Sequence, residues 1–536
     1  MNNKNTERGA GGRTLFSIAL AAVFIVAAFA IIIADDPSTA DEEAYLGAAA
    51  YTVGPAETIT SLDGLPTLAA GDRIDLTGDV VCSAAFVVAA DDITLNLNGH
   101  RLKFMLSVYS AGAIRVTGDN FKVDGNGTIE VSGAAVRGIY AMSNGKTITV
   151  NSNIEVNGTS NYGVGVFVDG TSELTVNGKI TVSCGSGDPY GVEAYNGSTV
   201  IVNGSITLNG NNGYGINADS TVTVTGNITV GNGSYGIYAL DKADITVNGN
   251  INCAASGTGV KLELNTDGPP QVTVNGNIVV GVNGNGIDMN GGKIVVSGSI
   301  TVGDNTSGVK HGIYAYNDAE VTVGGSMTIG YNYYGIFAYD IAKVTVGNIT
   351  IGDDSTGIFA FGNAEVTVGS ITSGDDSMGA YAGETAKVTV NGNITVNVTG
   401  YGGHGVWAAG TAKVTVNGNI TVKDSAAASI YEIAGVLAGD GAEVTVNGKL
   451  DVSGSGDKVF DIVLYNETDG HTYFPPNEPV RSETKSGFME YTDGISTVWV
   501  KESTGGGGSN TMMIVIIAAA AVAAIGAGVF FFLRKP

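Results

Sequence analysis

Apolar and polar positions alternate along most of this chain in bursts of three to five residues, and the bursts recur. The segment V-T-V-N-G-N-I-T-V appears, with variation, thirteen times, beginning at Ile148, Leu174, Val200, Val222, Ile245, Val272, Ile294, Val321, Val344, Val366, Val388, Val414 and Val444, at spacings of 22 to 30 residues. A second motif, G-I-Y-A, precedes each copy, as in Gly138-Ile139-Tyr140-Ala141, Gly312-Ile313-Tyr314-Ala315 and Gly357-Ile358-Phe359-Ala360. Period-two alternation of β-branched residues, punctuated by Gly, Asn and Asp, predicts three short strands per repeat and leaves no room for a helix of ordinary length. Such short strands would expose many edges unless each repeat is one turn of a coil, paired in parallel with the turns above and below. The expected fold is therefore all-β, a parallel β-helix solenoid with three strands per coil and the right-handed sense that parallel crossovers favour. At about 4.8 Å per strand, thirteen coils make a rod of roughly 60 Å. A β-propeller needs four longer strands in about 40 residues or more, which these repeats cannot supply.

Read column by column, the repeats separate an inside from an outside. One residue after the motif glycine stand Ile237, Ile313, Ile336, Ile358 and Val406, and three after it Ala239, Ala315, Ala338, Ala360 and Ala408; both columns are expected to face inward. Between them, in five successive coils, fall Tyr314, Phe337, Phe359, Tyr381 and Trp407, with Tyr316, Tyr339 and Phe361 two residues further on. Alternation sends these rings outward, so one sheet should carry a contiguous aromatic strip, and strips of that kind usually mark interaction sites. Aromatic faces stack on sugar rings, which makes surface glycans a candidate ligand; other cell-surface proteins, a second rod, and simple stabilisation of the sheet are the competing readings. The loops entering this sheet vary from five to twelve residues, as specificity loops on a rigid scaffold do. Before V-T-V stand Glu320, Lys343, Glu365 and Lys387 in successive coils, a charge ladder expected to set register. The tight turn Asn391-Gly392-Asn393 is expected to use the left-handed angles that Asn and Gly tolerate.

Charge narrows the partners. With 26 Lys plus Arg against 51 Asp plus Glu, the formal charge is −25, which argues against nucleic acid. Three cysteines, Cys82, Cys184 and Cys253, are too few for a disulfide scaffold; Cys253 is expected to be a buried thiol. Both ends read as membrane segments. Thr14–Ala34 is an unbroken apolar run behind Lys4, Arg8 and Arg13, compatible with a signal peptide or a signal anchor, and Met512–Leu533 is a second span followed by Arg534-Lys535-Pro536. The expected organisation is a signal peptide or anchor over 1–34, a cap and linker over 35–67, the β-helix over 68–453, a C-terminal cap over 454–504, a glycine-rich tether over 505–511, a transmembrane helix over 512–533 and a cytoplasmic tail over 534–536. The bulk of the chain is then extracellular, held at the cell membrane.

The stretch Leu68–Lys103, with Ala70-Gly-Asp-Arg-Ile-Asp-Leu-Thr-Gly-Asp79 and Ile93-Thr-Leu-Asn-Leu-Asn-Gly-His-Arg-Leu102, resembles the opening coils of pectate-lyase-like right-handed β-helix surface proteins. The two-span, glycine-rich form is similar to archaeal adhesin-like proteins. The resemblance implies the fold; it covers adhesins, sheath proteins and polysaccharide-cleaving enzymes alike, so it does not choose an activity. Enzymes of this fold would need clustered carboxylates with Arg, Lys or calcium on an exterior face. Here the exterior strand positions are mostly Thr, Tyr and Phe, and no pair among His100, His311, His404 and His471 has metal-ligand spacing. His311 and His404 read as solvated turn residues. No catalytic residue is assigned, and an adhesin-like contact protein is the main reading, with a carbohydrate-active enzyme or a purely structural envelope component as alternatives. Asp353-Asp354 and Asp375-Asp376, in adjacent coils, would repel unless shared by a cation such as calcium or screened by water. Sequons at Asn126, Asn157, Asn196, Asn203, Asn227, Asn232, Asn305, Asn348, Asn393, Asn397, Asn419 and Asn466 could accept glycans in an exported chain.

Overall fold

The computed structural model describes residues 48–502, apart from 108–111, 186, 266, 401, 426–432, 455–458, 467–470 and 474–479. The apolar segments 14–34 and 512–533, the tether and the tail lie outside the described residues; among the described residues no helix is long and apolar enough to cross a membrane.

The chain winds as a right-handed parallel solenoid with three faces. Every one of the thirteen V-T-V segments is a strand of the first face. Their valines stack residue for residue, as Val321, Val344, Val366, Val388, Val414 and Val444 do in six consecutive rungs. The I-T-V segments build the second face, for example Ile349–Ile351 on Ile371–Ser373, and the G-I-Y-A segments the third, for example Thr356–Ala360 on Met378–Ala382. The expected inward columns are inward: Ile237, Ile313, Ile336, Ile358 and Val406, and Ala239, Ala315, Ala338, Ala360 and Ala408, are all fully buried. Each buried Val or Ile contributes on the order of 1.5–3 kcal/mol. Because every coil repeats the same columns, that contribution accrues rung by rung along one continuous core.

The turn between the first and second faces departs from expectation. Asn391, Gly392 and Asn393 do not have positive φ; this turn is left-handed in the first coils, at Asn98 (48°), Gly99 (80°), Gly125 (90°) and Asn126 (51°), whereas in later coils the left-handed residues lie in the turns that enter and leave the third face, such as Asn332 (60°), Asp354 (51°) and Asp376 (54°) before it and Asp340 (59°) and Glu384 (54°) after it. What the N-G-N turn requires is closeness. A Cβ on Gly418 would stand 2.5 Å from the Gly392 carbonyl oxygen in the coil below, and one on Gly448 would stand 2.3 Å from that of Gly418. The asparagines on either side tie the stacked turns together. Asn393 Oδ1 accepts the Asn419 N–H (2.8 Å) and Asn419 Oδ1 the Lys449 N–H (2.7 Å), while the Asn447 side-chain amide donates to Asn417 Oδ1 (2.8 Å). Backbone donors that a tight turn would leave unpaired are thus satisfied between coils.

The ends are built from the solenoid's own pairing. Ala50–Val53, inside the segment read as an N-terminal cap, pairs in parallel with Arg73–Leu76 and forms a first rung. At the other end Val459–Asn466 adds a rung to the third face and Thr497–Lys501 one to the first; both lie within the segment read as a cap. Only then does the direction reverse: His471–Tyr473 pairs antiparallel with Val459–Asn466, and Phe488–Thr492 antiparallel with Thr497–Lys501. Reversal stops parallel growth and covers edges that would otherwise template another chain. Within the C-terminal segment, Tyr465 packs back on the rod against Trp407, and Phe474 lies outside the described residues.

Candidate binding face

Each strand of the third face places two or three side chains outward because Ile and Ala alternate inward beside them. Parallel pairing then brings the rings into register: Tyr314, Phe337, Phe359, Tyr381 and Trp407 are Cα partners in sequence, and Leu437 follows. All five rings are half-buried. Phe337 and Phe359 stack with centroids 4.9 Å apart and planes at 15°, and Phe359 and Tyr381 at 4.6 Å and 16°. Parallel rings so close must overlap, so the centre of the strip is an offset stack, and much of each face is covered by its neighbour.

Other rings stand across that stack. Tyr334, absent from the set expected from sequence, lies at 88° to Phe337, and Tyr339 lies at 84° to it on the far side. Tyr316 and Tyr339 stack on each other at 5.3 Å and 4°. Phe361 is the most open ring of the set at 38% exposure, leaning over Gly383, where a Cβ would sit 2.7 Å from its ring. At the C-terminal end Trp407 turns perpendicular to Tyr381 (85°) and its indole N–H donates to the Tyr465 hydroxyl (2.8 Å), so the last described rung closes the strip.

The two histidines are not solvated turn residues. His311 and His404 begin strands of the third face, four rungs apart, as the repeat spacing requires. His311 stacks on Tyr314 (4.7 Å) and meets Phe337 edge-on, and His404 Nδ1 is buried without a hydrogen-bond partner. Burial pushes both imidazoles down to about 4, with Lys310 adding to the effect at His311, so both are neutral at pH 7.

Sequence reasoning missed two further features of this face. In earlier coils the same columns hold a second aromatic cluster: Tyr190, Tyr214 and Tyr235 stack at 4.9 and 5.1 Å, and Tyr140 stacks on Phe167 at 5.2 Å. The Arg137 guanidinium lies within 5.3 Å of the Tyr140, Tyr162 and Phe167 ring centroids; it donates to the Tyr162 hydroxyl (3.0 Å), which donates in turn to the buried Glu193 carboxylate (2.9 Å). Between the clusters sits a charged saddle. Lys261 Nζ lies 3.2 Å from Glu263 and 3.9 Å from Asp288, Tyr238 donates its hydroxyl to Glu263, and burial raises the Asp288 pKa against the pull of Lys261. The signal for both was present in the aligned columns, at Tyr238, Lys261 and Asp288, but lay outside the five-coil window with the densest rings.

The acidic pairs are brought together, as adjacent coils require. Asp353 Oδ1 accepts the Asp375 N–H (2.8 Å), and Asp376 Oδ1 accepts the Thr399 and Gly400 N–H groups (3.0 Å each). Burial, then the Asp376 and Asp353 charges, raise the Asp354 pKa. Among the described residues no group of three or more His, Cys, Asp or Glu is placed to hold a metal ion.

The sequon asparagines divide by environment. Asn126, Asn157, Asn196, Asn203, Asn227, Asn232, Asn348, Asn393 and Asn419 are exposed and Asn397 is half-buried, while the Asn466 side chain lies outside the described residues. Several already serve the ladders: Asn203 Nδ2 donates to Asn177 (2.7 Å) and Asn196 Nδ2 to Asp169 (2.5 Å). Asn305 is a correction. It is fully buried, its Nδ2 donating to the Gly308 (2.7 Å) and Asn332 (2.8 Å) carbonyls, so the folded loop has no room for a glycan there. All three cysteines are buried free thiols, and burial pushes Cys253 up to about 12 and Cys184 to about 11.

A family model described as a right handed beta helix region matches residues 137–307, which include the N-terminal ring cluster and the saddle and stop short of Tyr314. Neither a curated protein nor a solved structure shows significant similarity to the chain. Together with the parallel register this makes the chain a β-helix repeat protein.

Proposed function

We propose that the chain is a membrane-anchored, extracellular, adhesin-like rod that works by contact, binding surface glycans along its third face, without catalysis. One observation carries the reading: in five consecutive rungs, outward rings stand in register on a face whose strand positions hold no charged side chain between His311 and Ala408. A row of half-exposed apolar surface on a chain of charge −25 is where a partner can exclude water at little desolvation cost. One ring per strand spacing, about 4.8 Å, is close to the length of one pyranose in an extended polysaccharide. Because the central rings cover each other, a sugar would meet ring edges along the stack, the exposed ring of Phe361 and the half-buried Tyr339 beside it. The apolar segments at the two termini, with basic residues outside them, support attachment at the cell membrane with the rod outside.

The test is binding to a glycan array and to insoluble wall polysaccharide. Phe361→Ala with Tyr339→Ala, and separately Phe337→Ala with Phe359→Ala and Trp407→Ala, should lose binding while the β signal in circular dichroism persists. Undiminished binding by both variants refutes the role of the rings.

A second reading has its own observation. Glu263 and Asp288, with Lys261 between them and Asp288 raised by burial, are the kind of carboxylate pair that acid–base cleavage of a glycan uses. Release of shorter oligosaccharides by the parent chain, lost in Asp288→Asn, would establish it; intact polymer after prolonged incubation dismisses it.

A further inference from the structure

The turns on either side of the ring strip carry charge of nearly one sign. Before the third-face strands, the turns hold Asp304, Asp353, Asp354, Asp375 and Asp376. After them stand Asp318, Asp340 and Glu384, all exposed. Against these eight carboxylates the same turns, from residue 303 to residue 386, contain one base, Lys310. The strip between the rims is uncharged, its two histidines neutral at pH 7. Upstream, the saddle adds Glu263 and Asp288 against Lys261.

We infer that the ligand of this face is a polysaccharide bearing protonated amino groups, such as a de-N-acetylated amino-sugar polymer. The inference rests on the reading that the rings bind glycans. An apolar floor between two anionic walls attracts a polycation and repels a polyanion, and charges of one sign lining a surface raise the local concentration of the opposite sign. Ammonium groups on the sugar would pair with rim carboxylates while its ring lies on the aromatic strip, and those directed at Phe361 or Tyr339 gain the attraction of a ring face for a cation. A polyuronate, by contrast, would lay its carboxylates along both rims. A basic peptide shares the charge but not the regular repeat, and the central rungs Phe337, Phe359 and Tyr381 repeat one stacked contact at 4.9 and 4.6 Å; that favours a polymer with a constant monomer length.

Full-length protein in detergent or nanodiscs is titrated calorimetrically at pH 6 with a glucosamine hexamer, its N-acetylated counterpart, a galacturonic acid hexamer and hexalysine. The glucosamine hexamer should bind roughly tenfold or more tighter than the N-acetylated one in about 20 mM salt, and the ratio should collapse toward one at about 0.5 M, where the Debye length falls to a few ångströms. Asp340→Asn, Asp354→Asn and Glu384→Gln combined should reduce the ratio at low salt without altering affinity for the N-acetylated hexamer; Asn tolerates the positive φ at 340 and 354. Phe361→Ala should weaken both glycans. Equal affinity for the two hexamers, or tighter binding of the galacturonic acid hexamer, overturns the charge selection and leaves ring binding standing. Hexalysine binding tighter than the glucosamine hexamer overturns the glycan as occupant. Binding of no glycan at all overturns the ring reading beneath it.

Discussion

Acidification from pH 7.5 to pH 5 should weaken the rod through two histidines. His311 and His404 are held near pKa 4 by burial, against about 6.5 for the free side chain. A base whose folded pKa is depressed takes up its proton first in the unfolded chain. The stability it secures is therefore complete above about 6.5 and is lost as pH falls from there toward 4, where the folded form also protonates. At pH 5 the free imidazole is protonated more than tenfold in excess while the buried one is still neutral, which costs at most about 2 kcal/mol per histidine, or about 4 for the pair. Because both residues are only half-buried overall, solvent screening brings the measured loss below that figure. The columns themselves supply substitutes: Tyr334 follows His311, and Met378 precedes His404, at the same position. Denaturant melts of the parent and of His311→Tyr with His404→Met, followed by circular dichroism at pH 7.5, 6 and 5, isolate the effect. Carboxylates raised by burial, Glu193 and Asp288, change in the opposite sense but cancel between the two proteins. If the double variant loses as much stability as the parent between pH 7.5 and 5, the histidines are not the buried bases described here.

The Gly418→Ala variant should melt markedly lower than Gly400→Ala, where a Cβ meets nothing within 4 Å, because backbone stands 2.5 Å from the new methyl; equal melting temperatures would contradict the close stacking of the turns. Lys343→Glu places three glutamates in consecutive rungs and should lower the melting temperature by more than Lys179→Glu does. The effect stays within about 1 kcal/mol, since the ladder's ion pairs, such as Lys387–Glu365 (2.8 Å) and Lys413–Glu443 (3.0 Å), are about half exposed. Calcium at millimolar levels should leave the melting temperature unchanged, since Asp353 and Asp376 already accept backbone N–H groups; a shift abolished by Asp354→Asn with Asp376→Asn would place a cation at the acidic pairs. Cys253 should resist a thiol reagent at pH 8 until the chain is unfolded, because burial holds its pKa near 12.

The charge ladder shows how a correct alignment can still mislead on energetics. The register of Glu320, Lys343, Glu365 and Lys387 is as aligned, yet the next rung sets Lys387 beside Lys413, and each lysine leans away to its own glutamate. Buried valines and isoleucines and the Asn ladders fix the same register, and the ladder partners, 26 and 30 residues apart, are invisible to any local window.

What the sequence determined by itself is the periodic part: the thirteen repeats, three strands in each, and the inward and outward columns. These follow from alternation and repeat spacing, and a solenoid turns one-dimensional order directly into stacking. Which way the rings tilt, that Trp407 is sealed by Tyr465, that Asn305 is enclosed by its own loop, and that the glycine of the later N-G-N turns is demanded by crowding rather than by φ were decided by tertiary structure. Those outcomes depend on distances between coils, where a few tenths of an ångström separate an open face from a covered one.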